Sequence, residues 1–507
     1  MSDRFPTFAR LWSRLTGGVA EKAAVTGGTG QVERRGAGTK GTLYNWVVNR
    51  LSRFAEARQR ITLTDRAEDL VANDPHAVSC IESMTVNVVG TGLLPQSKPV
   101  RARLGIKETA AAQFAENAEW IWKKWARQAD AAGVMHFSDI LYVNLYSMLM
   151  RGEYLVLPVM RKSAPLPGET AVRLALRTLH PSRLSTPSGL TGDPTVRDGI
   201  RVDTDGRPRT YYIANPADGR ILTHGLGISD YMAVPAKAGH RPGVFHGFFN
   251  KHTEQVRGVS ILAPAMKFFR DLGDYLDFEV VGNIIASSLS VFIEKDNAYD
   301  YTRAVFDSAD DTDSSAPRIQ EVVPGSVMYG KAGEKPHMLS ANRPGPTFEA
   351  FVRTILRAMG AAVGLPYEVV AKDFSNTNYS SARAALLEAW RVYMVYRSFI
   401  ERRFATPIWC MVLEEAWLRD ELVLPAGGPK DFYSAMAEYC EVSWIGPARG
   451  HVDPVKEMDA NIKGLENNIF TLADLAAEHG KDWEAQVAQR VREKQVTGDN
   501  NEQTKKN

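Results

Sequence analysis

The chain has 507 residues, 44% hydrophobic and 24% charged, an ordinary balance for folded globular protein and, at about 150 residues per unit, enough for roughly three structural units. Its 61 basic and 59 acidic residues leave a net charge of +2, which argues against a tight, non-specific nucleic-acid clamp and leaves transient contact or passage open. Three cysteines, Cys80, Cys410 and Cys440, stand far apart; they do not describe a disulfide framework and fit assembly in a reducing cytosol.

The opening MSDRFPTFARLWSRLTGG interrupts its short apolar stretch with arginines and lacks a signal-peptide core. Residues 1–42 are expected as a flexible arm, glycine-rich and charged from Thr26 to Thr42. Leu43, Trp46, Val47, Leu51 and Phe54 then recur at helical spacing with arginines opposite, a solvated helix face before it is a contact with DNA or scaffold. Residues 64–90 are expected as helix, with Thr64 as its cap, Pro75 breaking or kinking it, and Gly90-Thr91-Gly92 stopping it. Helices are expected over 110–128 and 137–150. From Tyr154 to about Val244, short alternating segments at 154–160, 210–213 and 231–234, separated by proline and glycine turns, indicate a mainly β region.

After Gly258 an apolar stripe (Ile261, Leu262, Ala265, Phe268, Phe269, Leu272, Tyr275, Leu276) predicts a helix running to about Ala286, with Pro264 in its first turns. The most apolar internal stretch, 280–293, is too short and too rich in serine to span a bilayer. A small unit follows, with strand-like 290–293, polar 307–315, then 327–329 and 336–339. Helix returns over 347–363 and breaks at Gly364-Leu365-Pro366. Residues 367–379 read as a loop, and 380–418 as a long helix capped by Ser380 or Ser381. Its predicted apolar side is Leu386, Leu387, Trp390, Met394, Phe404, Ile408 and Met411, interrupted by Arg397, with a kink at Pro407. Charged helices are expected over 453–462, 472–479 and 483–493, before a polar tail, 494–507, expected to be disordered.

Motifs for catalysis and metals fail on inspection. Gly36–Thr42 has the composition of a phosphate loop, but Thr39 stands where a Walker loop needs glycine, and no strand precedes it. An EF-hand started at Asp307 puts Thr312 at the glycine position and Arg318 at the bidentate glutamate, so Asp307, Asp310, Asp311 and Asp313 read as a solvated loop. His240, His246 and His252, six residues apart, match neither a helix face nor a zinc pattern. No His-Glu-x-x-His, Cys-x-x-Cys or Gly-x-Ser-x-Gly occurs. Neither cofactor nor metal is expected, and no enzymatic activity has positive support.

The most telling stretch is YEVVAKDFSNTNYSSARAALLEAWR, from Tyr367. A polar loop between a proline and a strong helix start is neither a hairpin nor a tight helix connection, and long loops held between rigid helices are often functional. Here the sequence resembles the lambda-type family of phage portal proteins. The match is carried by Gly364-Leu365-Pro366-Tyr367-Glu368 and by Tyr379-Ser380-Ser381-Ala382-Arg383-Ala384 with Glu388 and Trp390. Further support comes from Arg66-Ala67 through Asn73, the 87–92 end, Arg257-Gly258, and Trp444-Ile445-Gly446 followed by Asp453, Lys456 and Glu457. These segments stand in the family's order and cover about residues 64–493.

The resemblance implies an α+β portal fold, with mainly helical wing, stem and crown, a β-containing wing region and a small α/β clip. On that plan 43–258 is wing, 259–288 and 347–364 the stem helices, 289–346 the clip, 365–379 the tunnel loop, 380–452 the long wing helix and wing end, and 453–493 the crown. It implies a homododecameric ring at one capsid vertex, assembled in the host cytoplasm, through which double-stranded DNA is packaged and ejected without sequence specificity. Terminase large subunit is expected at the clip, with capsid and head-tail connector proteins as further partners. Lys372, Asp373, Phe374, Asn376 and Asn378 are the expected channel residues; Pro366, Tyr379, Ser380, Arg383, Glu388 and Trp390 are expected to be structural. Two alternatives stand beside it: a phage adaptor ring that does not conduct DNA, and a hydrolase or nuclease with its site in the β region.

Overall fold

The computed structural model describes residues 53–504 except 163–167, 216–226, 288–290, 296–333, 339–344, 346, 376 and 451–453. The chain divides into two units, Met1–Ala55 and Glu56–Asn507, and of the first only Arg53, Phe54 and Ala55 are described. The expectations for the arm at 1–42, the glycine-rich 36–42, the aspartates of 307–315 and the strand at 327–329 therefore lie outside the described residues.

Helix α1 (Arg53–Asn73) runs unbroken through Thr64. Thr64 was expected as a cap, but capping needs a non-helical chain before it, and here the helix already exists on its N-terminal side. The break comes at Asp74, whose carboxylate accepts from the amides of His76 and Ala77 at 2.9 and 2.8 Å and starts α2 (Pro75–Val88) with proline in its first turn. Next come β1 (Leu94–Ser97), α3 (Glu108–Ala126) and α4 (Phe137–Arg151). A reciprocal cap between His136 and Asp139 opens α4, and Gly152, at φ 94°, ends it.

The β region is real. An antiparallel sheet has β2 (Glu153–Met160) between β3 (Leu174–Leu179) and a later strand. A second has the order β4 (Val196–Arg197), β5 (Ile200–Val202), β6 (Pro208–Ala214), β7 (Tyr231–Pro235). The first is completed by β8 (Phe245–Phe248), which places Phe245 opposite Val156. Leu155, Leu157, Leu179, Ile200, Tyr211 and Ile213 form a core of their own from both sheets.

Helix α5 (Met266–Ser287) begins after Pro264 rather than around it. Residues 261–265 form turns started by the Ser260 hydroxyl, which accepts from the Leu262 amide at 3.1 Å. β9 (Val291–Lys295) and β10 (Glu334–Met338) pair antiparallel. Helix α6 (Phe348–Val363) packs beside α5, with Tyr275 against Phe348 and Phe351 at 5.7 and 5.1 Å, and stops at Gly364, φ 78°. A short helix, α7 (Tyr367–Ala371), precedes α8 (Tyr379–Ile400), a π turn over Glu401–Ala405, and α9 (Thr406–Leu418). β11 (Val442–Ile445) returns to pair with β1. The chain closes with α10 (Pro454–Glu466), α11 (Leu472–Glu478) and α12 (Trp483–Thr504). The tail expected to be disordered from 494 is therefore helical to Thr504. Gly498, Asp499, Asn500 and Asn501 are poor helix formers, which is why composition pointed away from a helix here.

The architecture is mixed α+β, mostly helical with small sheets. The main core joins α2, α3, α4, α8 and α9 to β2. At its centre Trp122 meets Trp125, Phe137 and Trp409 at 4.8, 4.8 and 5.5 Å, and Phe404 packs on Phe137, Tyr154 and Phe245. Such aromatic pairs add about 0.5–1.5 kcal/mol each beyond the area they bury.

The long helix departs from expectation in phase. Phe404, Ile408 and Met411 are buried as predicted, but Leu386 and Met394 are 39% and 41% exposed. The buried positions of α8 are Ala389, Tyr393, Tyr396, Arg397, Phe399 and Ile400, about one residue round from the predicted face. A helix advances about 100° per residue, and the wider π turn takes up a phase difference that uniform helical spacing cannot show.

Candidate functional site

Lys372 adopts a left-handed conformation, φ 52°, which ends α7 and turns the chain out of the helix. Asp373 then holds the turn. It accepts from the Tyr367 hydroxyl at 2.8 Å through one oxygen, and from the Ser375 amide and hydroxyl at 3.0 and 2.5 Å through the other. The bonds from Ser375, followed by that from Tyr367, hold its carboxyl down to about 2. The partners of Asp373 are thus Tyr367 and Ser375, not the adjacent Lys372. Phe374 is 43% exposed, Lys372 is exposed, and Asn376 lies outside the described residues.

Asn378 is not only a loop residue: its side chain accepts from the Ser381 amide at 2.8 Å and caps α8. That corrects the expected caps, Ser380 and Ser381, both of which lie inside the first turn. At the other end, Pro366 occupies the position before α7. Tyr367 lies beneath the guanidinium groups of Arg353 and Arg357, 5.9 and 5.8 Å from its ring. So a region read as one loop from 367 to 379 is a one-turn helix followed by 372–378, held at both ends.

The other motif residues divide. Tyr379 and Ser380 are exposed and Arg383 is partly buried. Among the described residues Glu388 pairs with its helical neighbour Arg391, at 3.2 Å on an exposed face. Trp390 is half-buried, with the Arg397 guanidinium 5.0 Å from its ring.

Arg397 is a residue whose role was missed. It is buried, and donates to the carbonyls of Val88 at 3.0 Å, Asn87 at 2.8 Å and Pro447 at 3.1 Å. It thereby caps the C-terminal end of α2 and ties it to the segment after β11. Gly446 leaves the room: a Cβ there would sit 2.7 Å from the guanidinium carbon. The sequence signal was present as the one charged break in an apolar stripe, and three separated motif pieces (87–92, Trp390, 444–446) converge on it.

A second anchor explains Arg257-Gly258. Glu153, almost wholly buried, is gripped by the Arg257 guanidinium at both oxygens, and accepts from the Gly258 amide at 3.2 Å. His246 Nε2 lies 2.9 Å from the same carboxylate. Burial alone would raise the Glu153 pKa, but the charge and bonds of Arg257, with His246, hold it well below the ordinary range. Arg257 also donates to the carbonyls of Leu184 and Asp198 at 2.7 and 2.8 Å. Arg60 of α1 reaches Asp198 at 2.7 Å. Beside this the backbones of Gly152 and Gly258 touch, and a side chain at either would collide with the other strand.

The evenly spaced histidines are not brought together: His240 pairs with Glu414 at 2.8 Å, His246 with Glu153. Among the described residues no group of three His, Cys, Asp or Glu side chains is placed to hold a metal. No described helix is long and apolar enough to cross a membrane.

Polar clusters that anchor elements, and a loop held open between two helices, describe a structural subunit. Comparison with known proteins agrees. The family described as phage portal protein, lambda family, matches residues 39–397. The chain is 24% identical to the portal protein of Escherichia phage N15 over 455 residues, covering 84% of this chain and 83% of that one. It is likewise 24% identical to portal protein B of Escherichia phage lambda over 479 residues, covering 90% and 88%. A solved structure, the neck of a native GTA particle computed with C12 symmetry, superposes loosely, at 14% identity and a TM-score of 0.42 over 84% of this chain and 94% of that one. The chain belongs to the lambda family of phage portal proteins. As a member it is a structural, non-enzymatic component of the virion at the portal vertex of the capsid.

Proposed function

We propose that this chain assembles into a twelve-subunit ring whose central channel conducts double-stranded DNA during packaging and ejection, with residues 372–378 facing the DNA. Helices α5 and α6 form the stem in this reading, α1–α4, both sheets and α8–α9 the wing, and α10–α12 the crown. The unit containing β9 and β10 is the clip, where terminase large subunit and then head-tail connector proteins dock; the wing meets the capsid.

The observation that carries the ring is the apolar surface of α5. Phe278 is 72% exposed and Ile284 60%, with Val280 and Val281 also uncovered, although α5 already packs against α6. Apolar surface of this extent on a stable soluble chain marks an interface, and head-to-tail contacts between different faces of identical subunits close a ring. In such a ring each loop charge is repeated around the DNA. One lysine and one acid per loop cancel, so the repeated loops present no net charge to the duplex, which suits guiding it as it slides rather than gripping it.

Two measurements test this. Electron microscopy of the purified protein should show twelve-fold rings with a hole wide enough for a duplex; a closed disc would support the non-conducting adaptor. The double variant Lys372→Ala, Phe374→Ala should assemble normally and package or retain shorter DNA, and unchanged DNA length would remove the loop from the channel's function.

A further inference from the structure

Beyond the last paired residues of β2 and β3, Met160 and Leu174, the two segments make one more rung: the Arg161 amide donates to the Arg173 carbonyl at 2.9 Å. Residues opposed in this way carry their side chains next to each other on one face of the sheet, so two arginines stand side by side. Both are half-buried, and the Nε–H of each is enclosed with no acceptor among the described residues. Arg161 donates through an outer nitrogen to the Gln128 carbonyl. Arg127 and Lys162, the sequence neighbours of Gln128 and Arg161, are exposed and add to the positive charge.

Glu415, Glu421 and Asp130 border this pair and are committed elsewhere. Glu415 accepts from the amides of Arg173 and Leu174 at 2.8 and 2.9 Å, and from Arg419 Nε at 2.7 Å. Glu421 accepts from the Thr170 hydroxyl and the Ala171 amide at 2.6 and 2.7 Å. Asp130 accepts from the amides of Val134 and Met135 at 3.0 and 3.2 Å. Like charges directly opposed in a sheet are destabilising, and enclosed donors without an acceptor add to that cost. An oxyanion between the two guanidinium groups answers both.

We propose that Arg161 and Arg173 form a recognition site for a carboxylate side chain on an acidic, partly apolar segment of a partner protein. A carboxylate suits the pair because its two oxygens accept from the fork of a guanidinium group in a fixed plane. The apolar half of the recognition comes from the turn that follows Gln128. That turn runs along β3, with the Ala131 amide on the Leu176 carbonyl at 2.9 Å, and is fixed by the Asp130 carboxylate. It presents Val134, 83% exposed. A fixed apolar side chain and a recessed cationic pair offer little to the evenly charged backbone of a nucleic acid. They suit a protein segment that sets leucine or valine close to aspartate or glutamate. The balance of 61 basic and 59 acidic residues points the same way, because holding a phosphate backbone takes a broad basic surface. The site lies within one chain and does not depend on the ring or its channel.

The test is fluorescence anisotropy of the full-length protein with a labelled peptide of repeated Glu-Glu-Leu units, compared with its Gln-Gln-Leu counterpart. A benzophenone in place of one leucine locates the contact by photo-crosslinking. The glutamate peptide alone should bind saturably, more weakly as salt rises, with crosslinks in residues 128–136 or 168–173. The double variant Arg161→Gln, Arg173→Gln should weaken binding at least about tenfold, and Val134→Ser less. Arg161→Lys with Arg173→Lys keeps the charge but loses the fork, so it should bind between the two, and it carries the comparison if the glutamine variant fails to fold. The proposal is overturned if neither peptide binds, if both bind equally, if the lysine variant binds like the wild type, or if the crosslinks fall elsewhere. It is equally overturned if a short DNA duplex displaces the peptide, which makes the surface a nucleic-acid site, or if assembly of the subunits abolishes binding, which makes the occupant a second copy.

Discussion

Around Glu153, a carboxylate that water scarcely reaches is surrounded by Arg257, His246 and the Gly258 amide; at 372–378, Asp373 sits near the surface, bonded among the described residues to Tyr367 and Ser375, its carboxyl lowered further by the charge of Arg353. Both are carboxylates that order a stretch of backbone, but the stakes differ. Removing a partner in the buried cluster strands a charge where nothing can hydrate it, whereas removing one in the loop lets water replace it. The buried cluster joins α1, the strand β2, the 181–198 connection and the start of the 258–265 turns. The loop joins only neighbouring residues. The family resemblance draws on both kinds of region, so a shared motif here reports anchoring as often as it reports contact with a partner.

The largest test of that contrast is Arg257→Met, which should destabilise the chain by about 3–5 kcal/mol in urea unfolding, with partial recovery when Glu153→Gln is added. A loss below ~1 kcal/mol would place the two carboxylates in the same class. Arg397→Met comes next: three carbonyls lose a charged donor, and a loss of about 1.5–3 kcal/mol is expected in the same measurement.

Acid–base behaviour probes a middle ground. Burial raises Glu401 to about 7 against the opposing charges of Arg397 and Arg402. Burial also raises Glu119 to about 7, opposed by the Ser97 amide and reinforced by Asp482, Glu484 and Glu116. Unfolded, each ionises near 4.5. Between 4.5 and 7 the folded chain keeps protons that the unfolded chain releases, so stability falls as pH rises through that window. Glu401→Gln and Glu119→Gln should each flatten that slope and, allowing for solvent screening, stabilise the protein at pH 8 by on the order of 1 kcal/mol, with no gain at pH 4. Thermal unfolding across pH measures this. The smallest effect belongs to the loop: Tyr367→Phe should change global stability by less than ~1 kcal/mol while speeding amide exchange at 373–378. A global loss as large as that of Arg397→Met would erase the distinction between anchor and loop.

Much of the helical framework was legible because its signals are local. Expected helices at 110–128, 137–150 and 347–363 differ from α3, α4 and α6 by no more than two residues at either end. What escaped depends on neighbours distant in sequence or on competition between adequate signals. Asn378 outcompetes two serines as the cap because it stands three residues before the Ser381 amide it accepts from. Tyr367 could not be read as a loop clamp, since its hydroxyl meets Asp373 only once 367–371 winds into a turn of helix. Arg257-Gly258 was visible as a motif, but its reason is Glu153, more than 100 positions earlier.

The π turn at Glu401–Ala405 has a mechanical meaning. A uniform helix is a rigid shaft: turning one end to present a new face turns the other end equally. With one wider turn in the middle, the shaft has a keyed joint. The angle at which α8 carries the 372–378 loop about the helix axis and the angle at which α9 seats its aromatic face in the core become separately adjustable settings. Sequence change on the loop side can re-aim the loop while the core keeps its fit.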